Sequence, residues 1–424
     1  MKNPVLVFAA LAASTSFAAV PNVDQSAVTI AQDSQSRLVT VGYTLTGESA
    51  VITVDFQTNA VANAETGWTS IGEANFTNTT GDVNQVVPEG EHSICWQPKQ
   101  SWPDQVIDAG KFRAVVKAWA TNAPPDYCAV CLLSDADIQT RQNSDVTFNP
   151  VRRCYYVSSN AVPGGVQATQ YKTDYLLLRK VPAAGVVWRM GAAGSTSGET
   201  YAHRVRLSRD YYIGIYEMTI GQYTTVGGTA SGTATKPVGS VTWARLRGTY
   251  SSYPWPDSEG NPQHNVATDS ILGKLRARSG IDSFDLPTEA QWEYACRAGT
   301  GTPYANGGGS ASADCKIMGW CQDEVNGVLQ SVGLKRPNNW GIYDMHGNVA
   351  EWVLDWYADF TAEMAATITD DPIGPATGSQ KLWRGGDVYR NYTRHYSYDR
   401  WRKKSTTDYD GTTGFRVVCD AVAK

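Results

Sequence analysis

Between Trp383 and Trp401 the chain contains WRGGDVYRNYTRHYSYDRW, a segment dense in side chains that can bind or react. Its Tyr, Arg, Asp, Asn, Thr, Ser and His residues do not form an ordinary core. The segment is therefore an active site, a ligand-binding face or a solvated polar loop. Tyrosine and arginine combine large contact area with adaptable hydrogen bonding, as in antibody paratopes. We predict binding of a protein, peptide or glycan by residues 387–413, with these principal contacts: Trp383, Asp387, Tyr389, Arg390, Tyr392, Arg394, His395, Tyr398 and Trp401.

A second candidate site is the motif GNVAEW at residues 347–352. Asn348 supplies an amide oxygen and Glu351 a carboxylate within one tight turn. Oxygen ligands from a loop suit a hard cation. Asn348 and Glu351 are therefore the predicted ligands of a structural calcium ion, and the alternative is a hydrogen-bonded turn without metal.

The eight cysteines divide evenly along the chain, with Cys95, Cys128, Cys131 and Cys154 in the first part and Cys296, Cys315, Cys321 and Cys419 in the second. This division predicts separate disulfides in two domains. Three pairings are open in each half. Because no second CxxC accompanies Cys128 and Cys131, a disulfide is favoured there over a zinc site.

The N-terminus combines Lys2, an apolar stretch from Val5 to Ala12 and a small-residue pattern ending at Ala18. This layout is typical of a signal peptide over residues 1–18; the alternative is a buried first strand or helix. The prediction is a secreted, periplasmic or cell-surface protein. A net charge of −5 without a basic block argues against nucleic acid as a partner, and no later apolar run is long enough to span a membrane.

These side chains must be positioned by two domains, as the length of 424 residues suggests. Alternating apolar and polar residues over 37–58 and 92–120 predict short antiparallel strands. The expected first domain is an all-β, immunoglobulin/fibronectin-like sandwich over residues 19–157. Residues 158–173, rich in Gly, Pro and small polar side chains, are the predicted linker.

The second domain, predicted over residues 174–424, mixes helices, short strands and Gly-rich loops, which is an α+β pattern. Its clearest helix is expected in LPTEAQWEYACRAGT, residues 286–300. Thr288 and Gln291 form the pattern of an N-terminal capping box, and Gly299 is placed to stop the helix. A second helix is predicted over residues 268–280.

Seven ordered motifs in this domain resemble the sulfatase-modifying-factor, or formylglycine-generating-enzyme, family. They extend over residues 174–421 and are WRMG, YYIGIYEMTIGQY, KPVGSVTW, LPTEAQWEYACRAGT, RPNNWGIYDMHGNVAEWVLDWY, WRGG and GFRVV. The resemblance implies a C-type-lectin-like fold with little regular structure and long loops. It also implies a calcium site at the GNVAEW turn, where Asn348 and Glu351 match.

The family's oxidase converts a sulfatase cysteine to formylglycine and resembles a copper enzyme with two thiolate ligands after its Arg-Gly-Gly motif. Soft thiolates select Cu(I). In this sequence the serine position after the glycines is Asp387, and the two cysteine positions are Arg390 and His395. A guanidinium does not ligate copper, and one imidazole does not replace two thiolates. We therefore assign no catalytic residue and expect no copper.

Some relatives are iron enzymes of thiohistidine synthesis. The chain has five scattered histidines: His92, His203, His264, His346 and His395. They form no HxxxH or HExxH pair, which argues against an iron site.

Ligand binding through residues 387–413 is thus the leading functional hypothesis. One alternative is a formylglycine-generating oxidase, or related metal-dependent oxidase, with a rebuilt active site. Another is a structural component of a surface layer. The composition of the segment also fits adenine-directed diversification by a retroelement, as the family resemblance suggests for some members.

Overall fold

The computed structural model describes residues 19–423, except positions 104, 106, 109, 147, 193, 196–200 and 258. The predicted signal peptide, residues 1–18, lies outside the described residues. No helix within the described part of the chain is long and apolar enough to cross a bilayer.

The N-terminal region consists of two antiparallel sheets. The first contains β1, β2, β3, β6 and β8, and the second contains β4, β5, β7 and β9. The strand bounds are β1 Asn22–Val23, β2 Thr29–Gln32, β3 Val39–Thr46, β4 Ala50–Thr58, β5 Thr69–Ser70, β6 Thr80–Gly81, β7 Val86–Val87, β8 Gly90–Trp96 and β9 Phe112–Ala120.

Both sheets contribute to one apolar core. Along β3, buried residues alternate with more exposed ones, as one-sided burial of a strand requires. Phe56 of the second sheet stacks on Trp96 of the first, with ring centroids 4.5 Å apart. A β-rich N-terminal region is therefore present, while its immunoglobulin/fibronectin type stays a prediction.

The central sheet of the second fold has the order β11-β10-β12-β15-β21. Its strands are β10 Tyr127–Cys131, β11 Arg153–Tyr156, β12 Tyr175–Val181, β15 Tyr211–Gly214 and β21 Val418–Asp420. Strands β10 and β11 belong to this sheet, because Cys128 pairs with Leu178 on β12 and with Tyr155 on β11. The second fold thus includes residues 127–156, which the sequence prediction had assigned to the sandwich.

Residues 158–173 pack against the second fold and do not form a free linker. Tyr171 and Lys172 are buried in a 3-10 turn. The Thr219 hydroxyl donates to the Lys172 carbonyl at 2.7 Å, and the Tyr216 hydroxyl donates to the Val166 carbonyl at 2.9 Å. Small polar residues predicted a flexible segment, but the segment's carbonyls are used as acceptors by the domain.

Two smaller sheets and short helices complete the second fold. One sheet joins β13, β14 and β17, and the other has the order β19-β18-β16-β20. Their strands are β13 Val187–Met190, β14 His203–Arg206, β16 Ala350–Trp356, β17 Ile368–Asp370, β18 Lys381–Arg384, β19 Arg402–Lys404 and β20 Thr413–Phe415. The helices along the described chain are α1 Pro98–Ser101, α2 Asp135–Ser144, α3 Ile220–Thr225, α4 Trp243–Arg247, α5 Ile271–Ser279, α6 Glu289–Arg297, α7 Ser312–Met318, α8 Gln322–Val325 and α9 Ala362–Ala366.

Helix α6 positions much of the candidate site, and its predicted start is confirmed. The Thr288 hydroxyl accepts from the Gln291 backbone while the Gln291 side chain accepts from the Thr288 backbone. The helix ends at Arg297, one residue earlier than Gly299 suggested, because Ala298 itself adopts the left-handed conformation with φ 45°. The first turns place Glu289 and Glu293 inside the protein.

The cysteines are distributed differently from the predicted division into two domains. Cys95 lies on β8 of the N-terminal sheets, whereas Cys128, Cys131 and Cys154 lie on the central sheet that also contains Cys419. Seven of them are free thiols in the structure: Cys95, Cys128, Cys131, Cys154, Cys296, Cys315 and Cys321. The four-and-four division therefore does not follow the folds, and the disulfides stay a prediction.

Candidate functional site

Residues 387–413, which include the short strand β19 and reach the first residue of β20, leave β18 through two glycines and are called the 387–413 loop. Gly385 and Gly386 have φ values of 93° and 75°, a region that side chains rarely adopt. A Cβ on Gly386 would also lie 2.5 Å from the Arg394 carbonyl oxygen. The glycine pair lets the chain reverse tightly, so that the 387–413 loop folds back over its own start.

Asp387 and His395 support the 387–413 loop from inside. The Asp387 carboxylate accepts from the Tyr389 backbone N–H at 2.8 Å and forms a turn. His395 Nδ1 lies 2.9 Å from the Asn391 carbonyl, and the His395 carbonyl accepts from His346 Nδ1 at 2.7 Å. Burial lowers the pKa of both His395 and His346 to about 4, so both imidazoles are neutral near pH 7.

The outer side of the 387–413 loop presents an aromatic and cationic surface. Tyr389 is 54% exposed and Trp401 is 38% exposed. The guanidinium carbons of Arg390 and Arg394 lie 4.9 and 4.8 Å from the Trp401 ring centroid. These cation–π contacts hold the indole against two positive groups. Tyr392 of the same loop is partly exposed.

Buried ion pairs fasten this surface to the scaffold. Arg400 donates to the Glu289 carboxylate at 2.9 Å from Nη2 to Oε2. Arg384 donates from Nη2 to Glu293 at 2.6 Å and to the Ser397 carbonyl at 2.7 Å. Because these charges are buried, each needs its partner. The 387–413 loop is therefore attached to helix α6 and strand β18 at defined points.

Three of the nine predicted ligand contacts are buried and do not belong to the surface. Trp383 packs edge-on against Trp352 with ring centroids 4.9 Å apart, because β18 is buried along its whole length. Asp387 and His395 are fully buried by the turn that they stabilise. The remaining six residues are exposed or partly exposed: Tyr389, Arg390, Tyr392, Arg394, Tyr398 and Trp401.

The predicted calcium ligands point to different partners. The Asn348 amide donates to Glu217 at 2.8 Å. The Glu351 carboxylate accepts from Arg416 Nη2 at 2.8 Å and from Trp292 Nε1 at 2.7 Å. A guanidinium already neutralises Glu351, so these residues do not form an oxygen cage for a dication as they are placed. Calcium binding stays a prediction.

The copper positions of the family do not fit Cu(I) in this chain. Arg390 offers a cation, and His395 is buried with Nδ1 directed at the Asn391 carbonyl. The described residues contain no group of three or more His, Cys, Asp or Glu side chains able to hold a metal ion.

The sequence prediction missed a thiol pair beneath the 387–413 loop. Cys315 and Cys321 are fully buried in a cluster with Tyr304, against which Tyr392 and Tyr396 pack. A hydrogen bond between the two thiols raises the pKa of Cys315 and lowers that of Cys321. The spacing of six residues between Cys315 and Cys321 was the available signal in the sequence. Nothing in the neighbouring residues indicated that the two thiols lie under the 387–413 loop.

Comparison with known proteins identifies the class of domain to which the second fold belongs. The sulfatase-modifying factor enzyme 1-like domain matches residues 179–421. The chain belongs to this family.

Two curated relatives illustrate the match. The formylglycine-generating enzyme of Streptomyces coelicolor is 35% identical over 198 residues, which cover 43% of this chain and 62% of that protein. The chaperone protein LppX of Paenibacillus barcinonensis is 30% identical over 196 residues, which cover 40% of this chain and 70% of LppX. The aligned region thus spans less than two thirds of the Streptomyces enzyme.

Among solved structures, Treponema denticola variable protein 1 aligns with a TM-score of 0.46 and 23% identity, covering 58% of this chain and 95% of that one. PvdO from Pseudomonas aeruginosa aligns with a TM-score of 0.45 and 19% identity, covering 58% of this chain and 94% of PvdO.

Proposed function

We propose that this protein is an exported binding protein that recognises a protein, peptide or glycan through the 387–413 loop. The observation that supports this proposal most is the surface of Tyr389 and Trp401, with Trp401 in cation–π contact with both Arg390 and Arg394. Aromatic and arginine side chains on a fixed support dominate the energy of many binding interfaces.

The support under this surface favours recognition over chemistry. Asp387 and His395, which occupy two of the family's site positions, form hydrogen bonds within the loop. Arg400 and Arg384 fasten the same loop to buried carboxylates. A loop held in this way loses little conformational entropy on binding, which improves affinity.

The test is a glycan and peptide array probed with the purified full-length protein, followed by variants. Tyr389→Ala and Trp401→Ala should each weaken the strongest interaction at least about tenfold, as expected for interface anchors. Val61→Ala, at an exposed apolar position in the loop between β4 and β5, is the matched control and should bind as the wild type does. Equal binding by all three variants would refute the assignment of the surface.

A second candidate function is an oxidase with a rebuilt metal site. One observation favours it: Cys315 and Cys321 provide two adjacent buried thiols under Tyr392. Two thiolates are a ligand type that Cu(I) prefers. Titration with Cu(I) against a chromogenic chelator, with Cys315→Ala and Cys321→Ala as controls, separates the candidates. Thiol-dependent copper binding together with copper-dependent oxidation of a sulfatase-derived cysteine peptide would favour the oxidase.

A further inference from the structure

A cavity of about 540 Å³ lies between the start of helix α6, the end of β16 and the segment 358–375. Its walls include the apolar side chains of Met190, Ala290, Phe360, Met364 and Ile373. This volume falls in the range of small-molecule sites, roughly 300–1,000 Å³. None of the exposed aromatic residues of the proposed binding surface lines it.

His203 brings an unsatisfied acceptor to this cavity. The side chain is buried, with 2% of its surface exposed, and its ring packs edge-on against Phe360 with centroids 4.3 Å apart. Nδ1 lies 3.2 Å from the Tyr201 carbonyl, which can only accept, so we assign the proton of the neutral imidazole to Nδ1. Nε2 has no hydrogen-bond partner among the residues that the structure describes. A buried acceptor without a donor is costly, so a ligand that donates to Nε2 would be favoured.

The charged side chains of the cavity are mainly carboxylates. Asp355 is buried and accepts from the Glu289 backbone N–H at 2.7 Å, while Asp359 and Asp371 line the same space. The lining cation, Arg400, already donates to the Glu289 carboxylate at 2.9 Å. The cavity therefore offers acceptors and negative charge, and its strongest donor is already engaged.

We propose that this cavity binds a small organic cation, an ammonium group carried on an apolar or aromatic body. The ammonium N–H groups donate to His203 Nε2 and to the Asp355 carboxylate. The body packs against Met190, Phe360 and Ile373. An inorganic cation fits less well, because apolar groups form most of the cavity wall. The described residues also contain no group of three or more His, Cys, Asp or Glu side chains that could hold a metal ion.

The pH dependence of binding gives a second signature. Burial, and then the Glu289 carboxylate, raise the pKa of Asp355 to about 7. The groups facing Asp355 are Glu289 from helix α6, Lys381 from β18 and Arg400 from the 387–413 loop, and Asp359, Asp371 and His203 share the cavity. An ammonium needs the ionised carboxylate. Its affinity should therefore rise as the pH increases through 7 and level off above it.

The experiment is calorimetric titration of the full chain with three probes of similar shape: 2-phenylethylamine, 2-phenylethanol and phenylacetate. The amine should bind at least tenfold more tightly than the alcohol, and phenylacetate should bind least. Asp355→Asn and His203→Phe should each weaken the amine about tenfold or more, whereas Asp282→Asn, an exposed carboxylate outside both the cavity and the 387–413 loop, should not.

Folding of each variant is verified by its thermal melt. If Asp355→Asn fails to fold, Met364→Trp, which fills space at a partly exposed wall position, tests the same cavity. Equal affinities for the three probes, unaltered amine binding in His203→Phe, or a pH profile without a rise near 7 would overturn the proposal. Because no anchor of the loop surface is altered, failure here leaves the proposed loop function untouched.

Discussion

The guanidinium of Arg400 lies against the Glu289 carboxylate, with Nη2 and Oε2 2.9 Å apart and both side chains buried. Arg400 belongs to the 387–413 loop, and Glu289 is the first residue of helix α6. The contact therefore ties the proposed binding surface to the scaffold and also borders the internal cavity.

Removal of Arg400 should destabilise the protein strongly. Arg400→Ala leaves the buried Glu289 carboxylate with Arg384, 3.2 Å away, as its remaining cation, and breaking a buried pair costs up to about 3–5 kcal/mol of unfolding free energy. Chemical denaturation measures this change. Arg394→Ala is the matched control, because Arg394 is partly exposed and 3.6 Å from Asp399, and exposed pairs contribute at most about 1 kcal/mol. Similar small losses in both variants would contradict the anchoring role of Arg400.

Gly386→Ala should also destabilise the loop. The residue has φ 75°, and an added Cβ would contact the Arg394 carbonyl at 2.5 Å. Strain of this type costs about 1–3 kcal/mol. Gly411 in the same loop has a φ outside the left-handed region and no heavy atom within 4 Å of the added Cβ, so Gly411→Ala should change stability by at most about 0.5 kcal/mol. The melting temperatures of the two variants are compared by thermal melts. A larger loss in Gly411→Ala than in Gly386→Ala would refute this role of the glycine turn.

Acid should weaken the support of the loop through its histidines. Burial lowers the pKa of His395 from 6.5 to about 4. Between these values the unfolded chain binds a proton that the folded protein does not, so stability is present above pH 6.5 and is lost as the pH falls toward 4. At about 1.4 kcal/mol per pKa unit, this loss is on the order of 3 kcal/mol.

Asp355 changes the stability in the opposite direction, because its pKa is raised from 3.8 to about 7. Its protonation as the pH falls therefore stabilises the folded protein. The measurement is therefore the difference between wild type and His395→Asn in unfolding free energy from pH 7 to 4. The variant should lose less stability over this range. Parallel curves would show that His395 does not titrate as described.

Local signals in the sequence predicted local structure well. The capping box of Thr288 and Gln291 depends on residues three apart, and it forms as expected. The motif order identified the family, which the match over residues 179–421 confirms. These features need no knowledge of distant contacts.

Features that depend on distant contacts were missed. Strands β10 and β11 were expected in the sandwich, because a strand-like sequence does not show which sheet the strand joins. Trp383 was expected to contact a ligand because it stands at the start of an aromatic segment, but pairing of β18 with β16 buries it against Trp352. Cys315 and Cys321 come under the loop only through folding. The orphaned Nε2 of His203 likewise results from packing of segments far apart in the chain.

We propose that this member of the family carries a recognition surface where the resemblance to its relatives implies a copper site. The most direct test measures, by calorimetry, the affinity of the strongest array ligand for the wild type and for Trp401→Ala. We predict at least a tenfold loss with an unchanged melting temperature, and no formylglycine formation from a sulfatase-derived cysteine peptide supplied with Cu(I). Equal affinity in the two proteins, or copper-dependent turnover of that peptide, would contradict the claim.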